Sequence, residues 1–361
     1  MNNNWLAHIN PETPINLLAI PGTHDSASWV GSAICGTKSG VAAAAIASQV
    51  LTYTQRRNIR QQLDDGVRAL DMRIAYDEYA GYRRGWLDPY SDAPARPAQI
   101  WMCHGKAVFD VTFESQLQIV SQFLINHPRE FVVMVLHQQG WTNVGGAESH
   151  QLITQQINRA RLDVYDISQH SGGWPTVRDL AGKVLILSRL NRPNASWLQV
   201  SNGWGDHENK TYFRRFCAEN ANLHILLQDR YNGVTTPTPT EHLHTLGGAW
   251  RADANQAKFI LFDNMREEGQ AGDLKVNHLS HSFKFHGHPW VLGQTLNQRL
   301  VDAIVNSHRK YRGLLMLDDA NENTCSNLIR LNRQLWPAGL RQGLAEAITD
   351  AAATMAAKRS G

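Results

Sequence analysis

Histidine, arginine and aspartate side chains fall at the downstream ends of short apolar runs in this chain: His24 and Asp25, Asp71 and Arg73, His104, His137, Arg189, Asp229 and Tyr231, and Asp318. Each alone has an ordinary structural explanation, such as a helix cap or a loop ion pair. Run after run ending this way points instead to one shared site. Two imidazoles and a guanidinium are the smallest set that opens a phosphodiester by attack of an internal hydroxyl. One imidazole takes the proton of the attacking hydroxyl and the other gives a proton to the leaving oxygen, because both protonation states are accessible near neutral pH. The guanidinium stays charged and binds phosphoryl oxygens as charge builds in the transfer. Carboxylates behind the imidazoles fix their tautomers and favour the charged form.

The elements that must position these groups are eight apolar runs of four to eight residues. They lie at 15–22, 67–74, 98–105, 130–137, 183–190, 224–231, 258–265 and 312–319, bounded by Gly, Pro, Asp or Asn. Near-continuous apolarity predicts strands buried on both faces. Helical patterns lie between them; over 113–128, Leu117, Val120, Phe123 and Leu124 recur at three-to-four spacing until Pro128. Alternating buried strands and helices predict an α/β chain folded as a (β/α)8 TIM-type barrel, distorted or incompletely closed, with an open doubly wound sheet as the alternative. In such a barrel, residues at the downstream strand ends converge on one mouth. No internal repeat or linker divides residues 1–361, so one domain is expected, with a core over about 15–332. Stretches 31–55 and 76–97 read as insertions near that mouth, and 338–358 as an Ala-rich closing helix.

Composition narrows the partners. A net charge of +3 without any basic run allows contact with an anionic membrane surface but argues against nucleic acid. No apolar run reaches the ~20 residues of a membrane span, so contact with lipid is expected to be peripheral, by a monomer. Four widely spaced cysteines, Cys35, Cys103, Cys217 and Cys325, form no CxxC pair and read as free or buried thiols. The opening residues lack a basic stretch followed by an apolar core; the expectation is a secreted protein whose leader is not visible in this chain, with a cytoplasmic one as alternative. Trp29, Trp86, Trp141, Trp174 and Trp204 fall in expected loops, where packing or dipping into lipid headgroups are both open.

Several segments resemble, in order, the X region of phosphatidylinositol-specific phospholipases C of the bacterial type. They are INLLAIPGTHDSASW, IRQQLDDGVRALDMRI and MCHGKAVFDVTFESQLQIVSQFLINHPREFVVMVL, followed by LLQDRY and GLLMLDDANENTCSNLIRLN, spanning about 15–332. The ordered set is far more specific than the PGTHD element alone. The resemblance implies a barrel enzyme cleaving phosphatidylinositol, at a membrane surface, to diacylglycerol and inositol 1,2-cyclic phosphate. It implies that His24 is the general base, oriented by Asp318, and that His104 is the general acid, supported by Asp25. Arg73 would bind a phosphoryl oxygen with Asp71 bracing it, while Arg189, Asp229 and Tyr231 would contact the inositol ring.

Neither a metal nor another cofactor is expected. Calcium-dependent relatives place Asn after the first histidine and carboxylates where Arg73 stands. A hard cation needs several oxygen ligands, and a guanidinium there supplies the positive charge instead. His137 departs from the resemblance, standing where bacterial relatives have a lysine against the ring. The rivals are a metal-dependent barrel phosphodiesterase of the glycerophosphodiester or sphingomyelinase D kind, which a chelator would inactivate, and a lipid head-group binder without turnover.

Overall fold

A computed structural model describes residues 2–32, 34–37, 53–77, 99–105, 107–139, 146–204, 213–230, 248–280 and 289–337. Within these, twelve strands form one sheet. They are β1 (Ala19–Thr23), β2 (Ile34–Thr37), β3 (Ala69–Asp77), β4 (Gln99–His104), β5 (Ala107–Thr112), β6 (Val132–Gln138), β7 (Val184–Ser188), β8 (Leu198–Gln199), β9 (Arg214–Cys217), β10 (His224–Gln228), β11 (Leu274–His278) and β12 (Gly313–Leu317). The helices are α1 (Ile59–Asp64), α2 (Phe113–Asn126), α3 (Ala147–Arg159), α4 (Val177–Leu180), α5 (Gly248–Asn264), α6 (Pro289–Val305) and α7 (Glu322–Arg330).

Eight strands run parallel in the order β8, β7, β6, β3, β1, β12, β11, β10, the curled wall of an incompletely closed (β/α)8 barrel. Among the described residues no ladder joins β8 to β10. The turn between β9 and β10 spans the seam instead: Glu219 N donates to Gln199 O at 2.9 Å, and Gln199 N donates to Asn220 Oδ1 at 2.9 Å. Side chains of β1, β3, β6, β7, β11 and β12 fill the core, nearly all fully buried, as expected where helices cover one face and barrel filling the other. On β1, a Cβ on Gly22 would lie 2.6 Å from Met316 Sδ and 3.0 Å from Ala69 Cβ. Glycine therefore lets β3 and β12 close on β1 just below the mouth.

Two of the eight expected barrel strands are corrected. The run 98–105 does form a strand, β4, but it is antiparallel to β3, with Ile74 opposite Met102, and makes a hairpin with β5. His104 thus arrives on an appendage folded beside β3 rather than on the wall. The run 258–265 is the end of helix α5. Its apolar stretch 259–262 serves a helix covered on two sides, with only Ile260 of the four exposed: Phe259 and Phe262 enter the main core, while Ala257 and Leu261 pack with Phe213 in a second cluster. The missing wall strands are β8, two residues long, and β11, whose sequence LKVNH breaks the apolar pattern. Its polar residues are satisfied by the end of α5: Lys275 Nζ donates to Met265 O and Arg266 O, and Asn277 Nδ2 to Phe262 O. The helix read over 113–128 is α2, capped by Thr112 Oγ1 accepting from Ser115 N at 3.2 Å. The expected closing helix, most of the expected insertion 31–55 and all of 76–97 but its first two residues lie outside the described residues.

Candidate active site

The first half of the site is built on the ends of β1, β3, β4 and β12. His24 follows β1, and its backbone N–H donates to Leu317 O of β12 at 2.9 Å. Asp25 takes left-handed backbone dihedrals (φ 45°), which aspartate tolerates better than most residues. Thr54 Oγ1 donates to the carbonyls of His24 and Asp25 at 3.1 and 3.0 Å, and Gln55 Nε2 donates to His24 O at 2.9 Å. The turn is thereby held rigidly at the mouth.

Asp318, one residue past β12, places Oδ1 at 2.9 Å from His24 Nδ1. That contact puts the proton on Nδ1 and leaves Nε2 facing the mouth, 3.4 Å from Asp25 Oδ2. Burial is the largest influence on His24 and pushes its pKa down, but Asp25 and Asp318, against Arg73, leave it above the ordinary 6.5. Arg73 Nε lies 2.9 Å from Asp71 Oδ2 and 2.6 Å from Asp25 Oδ1, with the side chains almost fully buried. Burial alone would lower its pKa, yet the two carboxylates raise it, so the guanidinium is permanently charged. Burial likewise pushes Asp71 up, but Arg73 beside it holds it well below the usual carboxylate range. His104 Nε2 sits 3.1 Å from Asp25 Oδ2. The rings of His24 and His104 are 6.2 Å apart at 82°, with the shared carboxylate of Asp25 joining both to the guanidinium.

The second half lies on β6, β7, β10 and β11. Arg189, just past β7, stacks its guanidinium 4.8 Å from the centre of the Trp204 ring and lies 3.9 Å from Asp229 Oδ2. Trp204 Nε1 donates to that same oxygen at 2.8 Å. Burial would raise Asp229, but His278, Arg189 and the Trp204 hydrogen bond bring it down to about 2. His137 stands opposite Arg73 in the β3–β6 register. Burial first, then Arg189 and Arg73, hold its pKa well below 6.5. It is therefore a neutral imidazole, with Nδ1 buried and without a hydrogen-bond partner among the described residues.

The structure brings together His24, Asp25, Asp71, Arg73, His104 and Asp318 in one network, and Arg189 with Asp229 in an adjoining one. Tyr231 lies outside the described residues. Two participants were not anticipated as site residues. Trp204, assigned to a loop with a possible lipid role, is 2% exposed and holds Asp229; Trp174, 5% exposed, donates Nε1 to Gly272 O at 3.0 Å. Both therefore pack rather than reach toward lipid. Trp29 is half-buried, and Trp86 and Trp141 lie outside the described residues. His278, at the end of the unrecognised strand β11, places Nδ1 3.5 Å from Asp229 Oδ1 and its ring 5.8 Å from that of His24. The rule that found the other residues, a polar side chain ending a strand, would have found it had β11 been read. Cys103, Cys217 and Cys325 are free.

Ligand atoms of His24, Asp25 and Asp71 lie within 4.8 Å of one another, the spacing of a cation site. Arg73 already bridges both carboxylates, so a cation seated there would have to displace a buried guanidinium or share the space with it. That donor set fits a charge-compensated cluster better than a hard-metal cage.

Fold and site together define a class: a barrel with a histidine–arginine–carboxylate cluster at the downstream ends of its parallel strands. Residues 37–190 match the family described as phosphatidylinositol-specific phospholipase C, X domain. The chain is 25% identical over 336 residues to the 1-phosphatidylinositol phosphodiesterase of Listeria monocytogenes, covering 91% of this chain and 84% of that one. The X-domain match thus covers part of the chain, and the likeness to the Listeria protein extends over most of it. Its fold matches the solved phosphatidylinositol-specific phospholipase C of L. monocytogenes with a TM-score of 0.62 at 22% identity, over 91% of this chain and 98% of that one. It matches a Staphylococcus aureus phosphatidylinositol-specific phospholipase C with a TM-score of 0.64 at 18% identity, over 92% and 97% of the two chains.

Proposed function

We propose that this chain is a phosphatidylinositol-specific phospholipase C that works without a metal ion. His24 Nε2 takes the proton of the inositol 2-hydroxyl, whose oxygen attacks phosphorus. The bond from phosphorus to the diacylglycerol oxygen breaks, and that oxygen takes the proton carried by the His104–Asp25 pair. The products are diacylglycerol and inositol 1,2-cyclic phosphate. Arg73 stabilises the charge on the non-bridging oxygens, and Asp71 keeps the guanidinium in place. Arg189, Asp229 and His137 bind the inositol ring, with Tyr231 beside them in sequence.

The observation that carries this reading is the pair of imidazoles 6.2 Å apart, each on a carboxylate, with Arg73 anchored to the carboxylate they share. That is one base, one acid and one fixed positive charge within a single phosphate's reach. No described helix is long and apolar enough to cross a membrane.

Phosphorus NMR on phosphatidylinositol vesicles tests the proposal. The cyclic phosphate is expected as the first product, at a rate unchanged by EDTA. Acyclic inositol monophosphate from the first time point would refute internal attack, and loss of activity in EDTA restored by Ca²⁺ would refute Arg73 as the substitute for a cation.

A further inference from the structure

We propose that His278 reads the substrate directly: its Nε2 accepts a hydrogen bond from a hydroxyl of the bound ring. This rests on the reading of the site as an inositol pocket. His278 closes β11 and is 1% exposed, wedged edge-on between the rings of His24 at 5.8 Å and Trp204 at 5.9 Å. It therefore sits on the wall between the base assigned to the attacking hydroxyl and the Asp229–Trp204–Arg189 group assigned to the ring.

Its two nitrogens are in different situations. Nδ1 lies 3.5 Å from both Asp229 Oδ1 and Ser280 Oγ, so the carboxylate side draws the imidazole proton to Nδ1. Nε2 is then a bare acceptor, fully buried, with no hydrogen-bond partner among the described residues. A buried acceptor left unmade is costly, and a ring hydroxyl is a donor that Nε2 lacks among the described residues. Protonation does not supply the missing partner, because burial brings the His278 pKa down to about 4 despite Asp229. Sites that hydrogen-bond a substrate hydroxyl discriminate strongly against analogues lacking it, since the protein group is then left unpaired.

The experiment compares wild type, His278→Leu and His278→Gln in two measurements: turnover of a soluble short-chain phosphatidylinositol, and inhibition by myo-inositol and by each of its monodeoxy analogues. The expected result is a weakening of myo-inositol by about tenfold in His278→Leu, the scale of one hydrogen bond, with partial recovery in His278→Gln, whose amide oxygen also accepts. One deoxy position should weaken binding to wild type yet cost His278→Leu nothing further, which identifies the hydroxyl. A purely structural role would depress kcat in both variants and penalise every deoxy analogue equally, and that outcome overturns the inference, as does unchanged inhibition in His278→Leu. Wild-type protein that binds myo-inositol through His278 yet leaves phosphatidylinositol intact would sink the enzymatic reading and leave the contact standing.

Discussion

Asp25 faces three basic groups with two oxygens: Oδ1 meets Arg73, and Oδ2 meets His104 and, more distantly, His24. Sharing of this kind ties the two imidazoles and the guanidinium into one electrostatic unit. Asp318 meets His24 at the other ring nitrogen, Nδ1, and so offers a separate handle on the base proposed above. Since His24 is raised above 6.5 by Asp25 and Asp318, and must be unprotonated to accept a proton, the acid limb of kcat/KM is expected above pH 6.5. Asp318→Asn removes one of the raising charges and frees the imidazole tautomer. The limb should shift to lower pH while kcat falls by 10²-fold or more, in line with losing an orienting carboxylate behind a catalytic imidazole. Rate profiles from pH 5 to 9 check this; a limb that stays put in Asp318→Asn would separate Asp318 from the base.

At the scale of elements, helix α6 is the backing of the catalytic edge. Its Asn297 Nδ2 donates to the carbonyls of Asp318 and Asp319 at 2.9 and 3.0 Å. One turn earlier, a Cβ on Gly293 would come within 2.6 Å of Asp318 O and 2.8 Å of Asp318 Cβ. Those are rigid atoms, so Gly293→Ala must push the helix away from β12 or Asp318 away from His24. A destabilisation of about 1–3 kcal/mol is expected from such overpacking, together with a fall in kcat larger than the rise in KM. Thermal unfolding and steady-state kinetics measure the two; normal kcat with normal stability would mean α6 is free to shift without consequence. The same scale explains what the sequence could convey. Strands β1, β3, β6, β7, β10 and β12 are buried on both faces and read as apolar runs, and the polar residues at their ends are legible with them. Strand β11 was not, because Lys275 and Asn277 serve the helix behind it, and a residue's partner on another element leaves no trace in local periodicity. The end of α5 misled for the complementary reason, being apolar on two sides. His278 disappeared from the reading together with its strand.

At the scale of the whole molecule, the buried histidines His278 and His137 and the buried carboxylate of Asp229 give definite contributions to its response to acid. His278 is held at about 4 against 6.5 ordinarily, and His137 well below 6.5, both chiefly by burial. Below pH 6.5 the unfolded chain binds protons on these rings that the native protein refuses, so their contribution to stability falls as pH drops from about 6.5 toward 4, while Asp65, raised to about 6 chiefly by burial, acts in the opposite sense over part of that range. Asp229, at about 2 against 3.8, adds a further loss only as pH falls from 3.8 toward 2. His24 acts in the opposite sense: its raised value gives stability that is fully present below 6.5 and fades as pH rises through its native pKa. It therefore cannot offset the decline below 6.5, where its contribution is already constant. Between pH 6.5 and 4, His278 alone accounts for a loss on the order of 3 kcal/mol if its neutral state is kept throughout, and His137 adds to it. Urea unfolding across that range should show a falling midpoint in wild type and a distinctly shallower decline in His278→Gln, whose amide does not titrate. The comparison of slopes is independent of whatever the substitution costs at neutral pH, since a fixed cost moves both ends of the curve alike. Parallel slopes in the two proteins would mean that His278 takes up its proton in the folded state and is no buried neutral acceptor, which would also remove the ground for its role at the ring.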